Sequence, residues 1–94
     1  MIDEQAILTE VKKGLGDFTN NNDETLLMLL KGAIQKLTEA GVSDSVIESD
    51  LGKVGLTVIV SDLFNNGGKY ELSPAYEVFE SALRNATLRK GEGF

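Results

Sequence analysis

Apolar residues recur at helical spacing along most of this chain, interrupted by short polar or glycine-rich stretches. Ile7, Leu8, Val11 and Leu15 make a narrow apolar stripe. Asp3 is placed to accept from the free N–H groups of a first helical turn, and Ile2 and Ile7 occupy the two positions of a hydrophobic staple. Gly14 and Gly16 are expected to end this helix, because glycine takes the left-handed cap conformation at little cost. The second helix, from about Glu24 to Ala40, has the clearest pattern. Leu26, Leu29, Leu30, Ala33, Ile34, Leu37 and Ala40 cover one broad arc of its wheel, with Leu27 at the edge. Lys31, Gln35, Thr38 and Glu39 face the other way, and Met28 stands among them as an adaptable apolar contact. Gly41 ends this helix.

Val42 to Leu51 carries two candidate N-caps, Ser43 and then Ser49 or Asp50. This predicts a short helical turn followed by a new helix. Leu51 to Phe64 reads less simply. Val58-Ile59-Val60 is β-branched and favours a strand, but period-2 alternation is missing. At helical spacing the apolar residues spread around most of the wheel, leaving only Lys53, Thr57 and Ser61 as a polar stripe. The pattern therefore predicts a buried, central helix, covered partly by its own chain and partly by a neighbour. Asn66-Gly67 could mark a hairpin tip. Ser73-Pro74 is a strong helix start, however, so Asn65-Asn66-Gly67-Gly68 reads as a helix stop. Lys69 to Leu72, including Tyr70, would be a short extended connector able to pair as an edge strand with a partner. Ala75, Val78, Phe79, Ala82, Leu83 and Ala86 then make the stripe of a last helix, and Arg89 to Phe94 a loose tail. The expectation is a single all-α domain over residues 1–94: about four helices, a central apolar one, and an extended connector before the last.

A chain of 94 residues with no cysteine and no histidine has no disulfides or thiolate metal sites and lacks the commonest general base. A net charge of −6 argues against tight binding to phosphates. The N-terminal stretch lacks the basic start and long apolar core of a signal peptide, so an intracellular, soluble protein is expected. Asp17 to Asp23 fails as a calcium loop, since its sixth and twelfth positions are Asn22 and Met28 rather than Gly and Glu. Asp44, Glu48 and Asp50 could share a face, but an acidic face is usually just solvated. No catalytic, cofactor-binding or metal-binding residue is expected. Asp44-Ser45-Val46 is a partial match to the Asp-Ser-Leu site where acyl carrier proteins are modified, so a carrier modified at Ser45 is one alternative. A small helix-turn-helix regulator is another, although its candidate recognition helix, Ala75 to Leu88, sets Glu77 and Glu80 against Arg84.

The order of these features, from about Asp23 to Leu88, resembles the small head–tail connector proteins of tailed bacteriophages and their prophage remnants. The resemblance lies in "NDETLLMLLKGAIQKLTEAGV", then "ESDL", "SDLFNNGG" and "LSPAYEVF"; a larger aromatic would be looked for at Phe64. It implies a non-enzymatic virion subunit, present in the host cytoplasm during assembly. It also implies a ring of about a dozen copies around the DNA channel, between the portal protein and a stopper or tail-completion protein. DNA would pass through without specific binding. Ring contacts are heterologous, so one face must complement a different one. Residues 37–52 hold Glu39, Asp44, Glu48 and Asp50 and no basic residue, whereas Arg84, Arg89 and Lys90 lie near the C-terminus. The expectation is that the acidic stretch of one subunit meets the basic stretch of the next. Met28, the segment of Asn65, Asn66, Gly67, Tyr70 and Leu72, and the terminal Phe94 are further candidates for contact with other virion proteins.

Overall fold

The computed structural model describes residues 2–16, 21–67 and 74–91. These form five helices, α1 (Glu4–Leu15), α2 (Asp23–Glu39), α3 (Asp44–Ile47), α4 (Asp50–Asn65) and α5 (Pro74–Arg89), and no strand occurs among the described residues. The expected all-α architecture is present, with four long helices and the one-turn α3. The predicted connector over 69–72, with Tyr70 and Leu72, lies outside the described residues, as does Phe94.

The caps set the boundaries. Asp3 Oδ1 accepts from the Ala6 N–H at 3.1 Å and opens α1. Gly16, at φ 71°, closes it. Gly14 does not end the helix as expected: a Cβ there would lie 2.5 Å from Thr57 Cγ2, so this glycine lets α1 approach α4 closely. Asn22 makes no side-chain cap to α2. Instead Asp23 pairs with Lys12 Nζ at 2.7 Å, tying the start of α2 to α1, and an acid in the first turn also suits the helix dipole. The far end of α2 is a Schellman turn: Val42 N–H donates to Leu37 O at 3.0 Å and Gly41 N–H to Thr38 O at 3.1 Å.

Ser43 Oγ caps α3 by accepting from Val46 N–H, and Ser49 Oγ, rather than Asp50, caps α4 by accepting from Gly52 N–H at 3.2 Å. The same Ser49 hydroxyl donates to Val46 O at 2.5 Å, which pins the corner between the two helices. The β-branched run stays helical because Ile59 and Val60 are wholly buried, and packing outweighs a propensity difference of roughly half a kcal/mol per residue. Asn66 N–H closes α4 onto Asp62 O and Leu63 O, so the Asn-Gly pair is a helix stop and not a hairpin tip.

In α5 the buried positions are Tyr76, Leu83 and Thr87, with Phe79, Ala82 and Ala86 half-buried. Val78, predicted inside, is 64% exposed. The buried face is rotated toward Tyr76, which packs into the core, with the exposed Lys36 placing its Nζ 5.3 Å from the centre of the ring. Thr87 can be buried because its hydroxyl donates to Leu83 O and accepts from Ser43 N–H, at 3.0 and 3.1 Å. Arg89 belongs to this helix rather than to a tail.

α4 is the hub, touching every other helix. Gly14 of α1 meets it at Thr57, and Phe79 of α5 meets it at Gly55. Residues two apart lie about 200° apart on a helix, so α1 and α5 flank α4 on opposite sides. α2 also packs on α4, with Leu29 beside Leu63, and Gly52 turns to the α3 backbone at Val46 and Ile47. The resulting slab measures 39 × 26 × 17 Å, about two helices thick.

Candidate functional site

Part of the α4 surface is only half-covered. Leu51 is 40% exposed, Val54 56% and Val58 39%, and their i, i+3, i+7 spacing puts them in one line. The polar stripe of Lys53, Thr57 and Ser61 is half-buried. Thr57 turns its methyl to Gly14 and donates its hydroxyl to Lys53 O at 2.8 Å. The outermost strip of the central helix is therefore apolar. Val54 and Val58 border a groove whose α1 wall carries Glu10, Lys13 and Gly14, and whose far end reaches Pro74 and Ala75 of α5. The volume at the Val54 end is about 440 Å³.

A second apolar feature lies where α2 meets the end of α4. Met28, 65% exposed, and Phe64, 42% exposed, border a shallow cleft of about 240 Å³ with Thr25, Leu29, Leu63 and Gly67. Met28 and Gly67 thus come together, as two of the residues singled out from the sequence. Asn65 lies elsewhere on α4, in the groove lined by Val58 and Ala75. Asn66 Nδ2 donates to Asp62 Oδ1 at 3.3 Å.

The Ser43–Thr87 hydrogen bond brings the C-terminal end of α5 against the start of α3 within one chain. Asp44 and Glu48 therefore lie at the same end of the molecule as Arg89 and Lys90. Arg84 already faces Glu80 at 3.9 Å on its own helix. Glu39 and Asp50 are exposed at the end of α2 and the start of α4.

Among the described residues, no group of three carboxylates is placed to hold a metal ion. Ser45 sits on the one-turn α3 with its Oγ 3.4 Å from Ser43 Oγ. Among the described residues, no helix is long and apolar enough to cross a membrane. No protein-family model, curated protein or solved structure matches the chain.

Leu51, Val54 and Val58 were not among the contact residues expected from the sequence. On the wheel all three lie on the side away from Leu56 and Leu63, but an apolar pattern that runs most of the way round does not mark that side as the open one.

Proposed function

We propose that this chain is a non-enzymatic structural adaptor of a phage or prophage virion. Copies of it would form a ring around the DNA channel, joining the portal vertex to a stopper or tail-completion protein. The observation that supports this reading is the uncovered apolar face of α4, at the centre of the fold rather than at its margin. Full burial of a Val or Leu side chain is worth about 1.5–3 kcal/mol, and roughly half of that remains unrealised at each of Leu51, Val54 and Val58. Covering the strip would contribute about 3 kcal/mol per contact, and each ring subunit makes two contacts. The resemblance in the order of helices and turns supplies the virion context. The net charge of −6 suits a conduit that must not hold DNA.

The test is sedimentation velocity of the purified chain from about 1 μM to about 1 mM, with electron microscopy of the largest species. Concentration-dependent growth to closed rings is expected. Val54→Asp, which places a charge on the strip without touching the core, should hold the chain as a monomer. A wild-type chain that stays monomeric over the whole range and gives no chemically cross-linked oligomer would overturn the reading.

A further inference from the structure

We infer that Asn66-Gly67, at the C-terminal end of α4, is a site of spontaneous deamidation, and that the carboxylate it creates loosens the last turn of the central helix. This does not depend on the ring reading. As the Gly67 N–H gives up its proton, its nitrogen bonds to Asn66 Cγ, the Cγ–Nδ2 bond breaks, and Nδ2 leaves as ammonia. A five-membered cyclic imide remains. Water opens it at either carbonyl, giving aspartate or isoaspartate, and is the only co-reactant.

The structure opens this pair and guards others like it. Gly67 is exposed at φ 67°, and a Cβ there would meet nothing within 4 Å. Among the described residues its N–H makes no backbone hydrogen bond. Asn66 itself lies just past the helix, at φ −107° and ψ 19°. The attacking nitrogen is therefore free to swing toward the side chain. Asn65 is guarded, because the next N–H, that of Asn66, donates to Asp62 O and Leu63 O at 3.0 and 3.2 Å. Asn85 lies inside α5, where the following N–H belongs to the helical ladder.

The product is poorly accommodated. Asn66 Nδ2 donates to Asp62 Oδ1 at 3.3 Å, and an ionised carboxylate has no proton to donate there. Asp62 Oδ2 is buried with no hydrogen-bond partner among the described residues, and no lysine or arginine among them pairs with Asp62. Two carboxylates four residues apart repel, and both stand at the negative end of the α4 dipole. The start of α5, at Pro74 and Ala75, borders the same groove as Asp62 and offsets part of this repulsion. Isoaspartate adds an atom to the main chain and also disturbs the two bonds from the Asn66 N–H that close the helix.

The purified chain is held for several days in mildly alkaline buffer at body temperature, then analysed by peptide mass spectrometry with an isoaspartate assay. A gain of about 1 Da at Asn66 is expected, with Asn65 and Asn85 unchanged. Asn66→Gln, which would have to form a six-membered ring, should show no gain. Asn66→Asp should lower the urea midpoint and speed amide exchange several-fold over residues 63–66, and adding Asp62→Asn should reverse most of both changes. Asn66 left intact in the folded chain, whether or not the urea-unfolded chain converts, would overturn the modification. An Asn66→Asp protein with wild-type exchange and midpoint, or one that Asp62→Asn does not restore, would overturn the loosening.

Discussion

Replacing Gly52 with alanine would drive a methyl group against the backbone carbonyls of Val46 and Ile47. Those carbonyls cannot move aside easily. Val46 is 1% exposed, Ile47 is wholly buried, and Ser49 Oγ donates to Val46 O at 2.5 Å. Forcing one extra methyl group into a packed site costs about 1–3 kcal/mol, and a backbone obstacle belongs at the upper end of that range. Alanine regains at most about 1 kcal/mol of helix propensity over glycine. The net loss should be about 2 kcal/mol, lowering the Tm by roughly 8–16 °C in a domain of this size. Thermal and urea melts followed by circular dichroism would measure it, with the urea slope unchanged. Gly14→Ala is the matched control. Its obstacle, the Thr57 methyl at 2.5 Å, belongs to a side chain that can rotate, so its net loss should stay below about 1 kcal/mol. A Gly52→Ala protein as stable as wild type, or more stable, would show that the α3–α4 corner is not closed by backbone contact and would refute the argument.

Three further substitutions probe the same packing. Thr87→Val keeps the shape but removes the hydroxyl that accepts from Ser43 N–H, and should cost about 1 kcal/mol by urea unfolding. Ser49→Ala removes the α4 cap and should cost about 1 kcal/mol, with amide exchange rising first at Gly52. Leu83→Ala opens a cavity at a fully buried position and should cost about 2–5 kcal/mol, a large share of the stability expected for so small a domain, as a shifted urea midpoint would show.

Several features of the fold were readable because their causes are local. Asp3, Ser43 and Ser49 cap helices through bonds to N–H groups three residues on. Gly16, Gly41 and Gly67 adopt positive φ just where helices end. The stripe of Leu26, Leu30, Ala33, Ile34 and Leu37 in α2 has one phase, and that phase faces the core. Where the pattern was weaker, a distant contact decided. Val78 and Tyr76 compete for the inside of α5, and only the space near α2 selects the tyrosine. Gly14 resembles a helix stop until Thr57 is seen beside it.

The candidate site marks the boundary between these two kinds of information. A helix apolar around most of its circumference announces that it is central, but its pattern carries no phase to say which side is left open. That side was chosen by where neighbouring backbones could come closest, with α1 meeting Thr57 through Gly14 and α5 meeting Gly55 through Phe79. Leu51, Val54 and Val58 are the apolar residues that this packing leaves outside. Caps and periodicity act within a few residues and can be read along the chain, whereas the exposed strip depends on which helices fit against each other across long separations in sequence.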